Sequence, residues 1–169
     1  SKEAIDNFVE RFDKCHDGAY PNQEENPHIA DEFGADAELF IDKVGSKWVQ
    51  IWDEGYYRSS DNRCEIYLDT AWYPPSDMIL EIYRQMAEID DEIKVSGKYW
   101  DEAYNPIGVF EVYYGQIISE KDHDLDESEW DDIIEAEGEQ EYDRNFWEEV
   151  VDPAFTVLQE RLDKIMKEI

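Results

Sequence analysis

Apolar residues recur along this chain with two different periods, and the change of period marks out its elements. Ile5, Phe8, Val9 and Phe12 fall on one stripe of helical spacing, predicting a short amphipathic helix over 3–14. Residues 16–35 break the pattern with two prolines, two glycines and many polar side chains, which reads as a loop. Ala35 to Val44 restores helical spacing through Leu39, Phe40 and Val44, with Gly45 as its stop. The period then drops to two. Lys47–Trp52 is a short β-branched and aromatic run, and Gly55–Asn62 reads as a turn. Cys64–Trp72 alternates, with Cys64, Ile66, Leu68 and Thr70 on one face and Glu65, Tyr67 and Asp69 on the other.

Pro74 and Pro75 end that strand and open a helix, because proline suits the first helical turn. Ile79, Ile82, Tyr83, Met86 and Ile89 form its apolar stripe, which places it across a sheet. Ile93, Val95 and Tyr99 predict a strand, Tyr104–Pro106 a turn, and Ile107–Ile118 a long strand returning beside it. The order β-β-α-β-β implies an α+β fold with a small antiparallel sheet of hairpins and flanking N-terminal helices. Near the C-terminus, Asp152-Pro153 looks like an N-cap with proline at the first helical position, giving two helices or one kinked helix. Phe155, Leu158, Leu162, Ile165 and Ile169 continue a seam that serves either intramolecular packing or a dimer coiled coil. The length suits one domain, 1–169, with a sheet core over 35–118 and an acidic helical extension over 119–169 packed on it.

Charge changes the picture more than any motif. The chain has 45 Asp and Glu against 15 Lys and Arg, a formal net of −30 in 169 residues. Duplex DNA carries one negative charge per ~1.7 Å of axis, so this matches roughly 50 Å of duplex. A compact domain of this length has a radius of gyration of about 15 Å, so the chain carries nearly the charge of a DNA segment its own size. Disorder is the usual reading of such charge, but 41% apolar and 14% aromatic residues argue for a packed core. The charge is uneven: residues 1–46 and 47–117 each carry net −8, whereas 118–169 carry −14. Within 120–143 there are thirteen carboxylates, with Lys121 as the one base and Trp130, Ile133 and Ile134 at helical spacing. Those apolar residues favour a docked helix over a free tail.

Candidate chemistry is sparse. Cys15 and Cys64 fit no metal or redox spacing and read as reduced thiols, with a disulfide as the alternative. His16, His28 and His123 are scattered, and no phosphate loop, nucleophile elbow or metalloprotease motif occurs. Asp122-x-Asp124-x-Asp126-x-Ser128 begins like a calcium loop, but Glu127 and Ile133 stand where Gly and Glu are needed. No catalytic residue, cofactor or metal is assigned, and an enzyme is not expected. No apolar run approaches a membrane span or a signal-peptide core, and Ser1 in place of Met suggests a removed initiator or tag. A cytoplasmic location is therefore expected, with no membrane partner.

Gly45-Ser46-Lys47-Trp48, Thr70-Ala71-Trp72-Tyr73-Pro74-Pro75 and Tyr99-Trp100-Asp101-Glu102 followed by Gly108 give the central segment a family likeness. It resembles the YubB-like (Api-like) ferredoxin-like domain of phage and plasmid proteins, over about residues 35–118. The resemblance implies a small antiparallel sheet with helices on one face and an origin on a mobile element. It implies no particular activity. The shared tryptophans, Trp48, Trp72 and Trp100, are expected to pack the joint between helix and sheet, with an aromatic recognition face as the alternative.

Carboxylates three or four apart on a helix stand about 5–6 Å from one another, the scale of phosphate spacing along a strand. The functional expectation is a DNA mimic that fills the basic groove of a host defence complex, either a restriction enzyme or a CRISPR surveillance complex. The expected contact surface is Asp122, Asp124, Asp126, Glu127, Glu129, Asp131, Asp132, Glu135 and Glu137, extended by Asp53, Glu54, Asp101 and Glu102. Its partner would be a basic DNA-binding protein, with no direct contact to nucleic acid, and the chain would be a monomer or homodimer. The alternative is an acidic adaptor or decoy that binds a basic protein without competing with DNA.

Overall fold

The computed structural model describes residues 1–16, 26–101, 104, 106–122 and 146–169, with the side chains of 16 and 52–54 set aside. The chain is α+β with antiparallel sheets, and it divides into two compact units where composition suggested one domain. The first holds Ser1–Val95 and Val112–Ile117; the second holds Ser96–Glu111 and Ile118–Ile169. One boundary, Ile117/Ile118, lies beside the expected start of the extension at 119, and the other two assign Ser96–Glu111 to the second unit.

In the first unit, α1 (Lys2–His16) buries Ala4, Phe8, Phe12 and Cys15 at helical spacing. The segment expected to be a loop contains a second helix, α2 (Pro27–Phe33). Asn26 starts it: its side-chain Oδ1 accepts from the amides of His28 at 3.0 Å and Ile29 at 3.2 Å, and Pro27 occupies the first turn. Ile29 and Phe33, four apart, supply its buried side. The helix expected from Ala35 begins only at Phe40, as α3 (Phe40–Val44). The Ala35 amide donates to Lys43 O at 2.7 Å, folding 35–39 back as irregular chain, and Gly45 at φ +80 ends the helix.

Strands β1 (Val49–Ser60) and β2 (Arg63–Thr70) form an antiparallel two-stranded sheet. The turn expected over Gly55–Asn62 is strand for most of its length. Gly55, at φ +61, makes a bulge between the Ile51↔Leu68 and Tyr56↔Ile66 pairs, and the chain reverses only at Asp61-Asn62. Helix α4 (Ser76–Ala87) follows Pro75 as expected, but Met78 joins Ile79, Ile82 and Met86 in the buried stripe, whereas Ile89 lies beyond the helix and is 37% exposed. Phe8, Phe12, Ile29, Phe33, Phe40, Val44, Met78, Ile82 and Met86 share one core with the inward residues Ile51, Cys64, Ile66 and Leu68 of the hairpin.

A separate three-stranded sheet has the order β3 (Ser96–Trp100), β4 (Ile107–Tyr113), β5 (Gln116–Asp122). The expected single sheet is therefore two. The expected long strand Ile107–Ile118 is also two, because Tyr114 at φ +46 and Gly115 at φ +75 form a tight hairpin turn with both central residues left-handed.

The C-terminal element is a π-helical turn, Trp147–Val151, running directly into α5 (Asp152–Glu168). Asp152 is not the N-cap: it has helical φ −62 and ψ −44, and its amide donates back to Trp147 O. Pro153 has no amide to donate, and the wide turn just before it absorbs that defect inside one continuous helix. Phe155, Leu158 and Leu162 pack with Ile107 and Val109 of β4, so most of the seam is spent within the chain, while Ile169 is exposed. The acidic run begins not in a helix but in β5, which holds Glu120, Lys121 and Asp122.

Candidate functional site

The first question for an acidic surface is how much of its charge is already answered. Among the described residues, six of the chain's fifteen Lys and Arg side chains (Lys2, Arg11, Lys14, Arg58, Arg63 and Arg84) are held in ion pairs. Asp6 accepts from Lys2 at 2.7 Å and from Arg58 at 2.6 Å. Glu32 takes Arg11 at 2.8 Å, and Arg84 lies between Glu81 at 2.7 Å and Glu88 at 2.5 Å. The N-terminal ammonium pairs with Asp90. Among the described residues, Asp36, Glu38, Asp42 and Asp69 are exposed with no ion-pair partner. Exposed pairs of this kind contribute about 0–1 kcal/mol each, so their main effect is to remove cations from circulation and leave the rest of the surface anionic.

Among the described residues, the carboxyl groups with perturbed acidity move the same way. Hydrogen bonds from Lys2 and then Arg58 hold Asp6 below the usual range. Arg84 does the same for Glu81, and the N-terminal amine for Asp90. A general acid at neutral pH requires a carboxyl pushed upward, and none of these is. Among the described residues no group of three or more His, Cys, Asp and Glu is placed to hold a metal ion. An open depression of about 490 Å³ beside α4, lined in part by Leu80, Tyr83 and Ala87, contains only Asp77 and the mutually paired Glu81, Arg84 and Glu88 as charged groups. The Cys15 thiol is buried, within reach of Arg11 O and His28 O, and burial pushes it up to about 12. Cys64, half-buried, is raised for the same reason, and both are free.

Of the contact residues expected from sequence, Asp101 is exposed just after β3 and the half-buried Asp122 ends β5, both in the second unit. Asp53 and Glu54 lie on the bulged stretch of β1 in the first unit. Glu102, Asp124, Asp126, Glu127, Glu129, Asp131, Asp132, Glu135 and Glu137 lie outside the described residues, as do the proposed helix around Trp130 and all but the first residue of the calcium-like run.

One of the three tryptophans corrects the sequence reading. Trp100, on β3, stands edge-on to Trp147 and Phe155 of the C-terminal helical element, with ring centres 5.1 and 6.2 Å apart. It thus packs a helix–sheet joint as expected although it is 49% exposed, and Trp48 is half-buried. Trp72 is 74% exposed and its neighbour Tyr73 66%. It packs no joint.

The backbone explains how Trp72 is held out. Its φ is +63, and the Tyr73 amide donates to Ala71 O at 2.8 Å, closing a tight turn centred on the tryptophan. A left-handed conformation costs an ordinary residue about 1–2 kcal/mol. Surrounding bonds enforce it. The Ala71 amide donates to Trp48 O at 3.2 Å, the buried Ser46 hydroxyl reaches Ala71 O at 3.1 Å, and Thr70 Oγ1 donates to Tyr73 O at 2.9 Å. Gly45 fits so closely that a Cβ there would meet Ser76 Oγ and Asp77 Oδ2 at 2.7 Å. The two distant motifs 45–48 and 70–77 are thus one structural joint. Lys47 Nζ stands 5.6 Å from the centre of the Trp72 ring, an exposed cation–π contact worth about 0.5–1 kcal/mol. A Trp beside a Pro-Pro pair, just past an alternating strand, was the available sequence signal for a displayed aromatic.

No family model matches the chain, and no curated protein or solved structure matches it either.

Proposed function

We propose that this chain is an acidic inhibitor that imitates DNA and occupies the basic groove of a nucleic-acid-binding defence complex. The observation that carries the reading is a net charge of −30, with exposed carboxylates such as Asp36, Glu38, Asp42 and Asp69 that have no ion-pair partner among the described residues. Such a surface attracts Lys- and Arg-lined channels over long range and speeds encounter with them. Phosphate contacts supply most non-specific DNA affinity, so placed carboxylates alone reproduce much of the ligand. The acidic run 120–143 remains the proposed main contact. The likeness of residues 35–118 to the YubB-like ferredoxin-like domain supports a mobile-element origin, and with it a cytoplasmic target in a bacterial host. Among the described residues no helix is long and apolar enough to cross a membrane, and the proposed partner is a protein.

The exposed Trp72–Tyr73 pair favours a second reading, in which the chain is an adaptor that grips a basic protein without imitating DNA, since phosphate mimicry needs no aromatics. Competition separates the two. A target captured on the immobilised chain is challenged with excess duplex DNA, and mimicry expects release in proportion to DNA added. A ternary complex of target, duplex and chain refutes mimicry and leaves the adaptor.

A further inference from the structure

We infer that Trp72 is the arginine-stacking anchor of the partner interface, with an arginine of a basic protein replacing the Lys47 ammonium on the indole face. The inference rests on the reading that the partner is basic, and it adds where that partner is gripped. Three observations converge on it. The ring is among the most exposed large side chains described, yet it sits on a backbone that resists it and is forced there by Ser46, Trp48 and Thr70. Strain of this kind persists where the display itself has a use. The ring face already receives a cation, because Lys47 Nζ is 5.6 Å from its centre. Along the chain the ring is flanked by carboxylates: Asp69 precedes it on β2, exposed and without an ion-pair partner, and Asp77 follows on α4.

Arginine fits better than lysine. A guanidinium is planar and weakly hydrated, so it stacks on an indole while its edge donates in pairs to a carboxylate. Lysine is a compact, strongly hydrated point charge that gains less from the ring. The site therefore has a chemical preference that a diffuse negative field lacks.

The test is calorimetric titration of the full chain with an acetylated tetra-arginine amide and, separately, its tetra-lysine counterpart, each at 20 and 150 mM NaCl. Wild type is expected to prefer the arginine peptide. Trp72→Ala is expected to weaken arginine-peptide binding about two- to fivefold and to bring the two peptides level, whereas Trp72→Phe retains part of the preference. Circular dichroism checks that each variant is folded, which the exposure of the ring favours. If Trp72→Ala binds the arginine peptide as wild type does, the anchor is refuted while the basic-partner reading stands. If wild type binds neither peptide even at 20 mM NaCl, both fall.

Discussion

Two glycines in the β3–β4 hairpin are roofed by the aromatic rings of their own cross-strand partners. Gly97 pairs with Phe110 and Tyr99 with Gly108, and all four lie on one face of the pair. A Cβ at Gly97 would stand 2.6 Å from the Phe110 ring, and one at Gly108 would fall well inside 3.0 Å of Tyr99 Cζ. Carbon atoms settle at about 3.5–4.0 Å, so Gly108→Ala drives the Tyr99 ring outward by more than about 1 Å. Tyr99 is half-buried, and burial raises its hydroxyl pKa. If the displaced ring loses about 50–75 Å² of contact, the loss is about 1–2 kcal/mol. Replacing glycine returns about 0.4–1 kcal/mol through the unfolded chain. The net expectation is a loss of about 1 kcal/mol, or a Tm lower by about 2–4 °C. The sharper expectation concerns sign. In a Tyr99→Ala background the clash is gone, so Gly108→Ala becomes mildly stabilising. Thermal and urea unfolding of the four proteins in the cycle measures the coupling. Additive effects, or a Gly108→Ala change that stabilises wild type, would refute the claim that the ring and the missing Cβ occupy the same space.

Two further expectations follow from charge and burial. Asp6, Glu81 and Asp90 have folded-state pKa values below their unfolded values, so they bind protons more readily when unfolded; their contribution is present above about pH 4.5 and is lost as pH falls through the depressed folded values. Asp6→Asn should flatten the acid limb of a stability–pH curve, and an unchanged limb would show that the Lys2 and Arg58 pairs do not hold in solution. For the thiols, Cys64 should react with a disulfide reagent at pH 8.5 well before Cys15, whose modification should wait for unfolding. Equal rates in the native protein would mean that α1 opens far more readily than its packing implies.

What could be read from sequence depended on whether a residue acts through periodicity or through a single backbone angle. The alternation of β2, the stripe of α1 and the Pro-Pro start of α4 are periodic, and they stand close to where the pattern places them. The errors sit at individual hinges. Gly55 at φ +61 bulges a strand instead of turning it, Tyr114-Gly115 reverses one that looked continuous, and Asn26 starts a helix inside a polar stretch. Each depends on an angle or a bond that composition does not encode. Trp72 was missed in the same way, because hydrophobicity favours burial and only the turn around Ala71 and Tyr73 shows it displayed. The charge was plain from composition, but which carboxylates stay unpaired depends on where Arg11, Arg58 and Arg84 reach.

The buried amide of Asn26 binds two helices at once: its Oδ1 opens α2, and its Nδ2 donates to Cys15 O in the last turn of α1 at 3.1 Å. Removing that one amide would therefore cost the cap of α2 and its tie to α1 together, so the docking of the two helices turns on a single side chain.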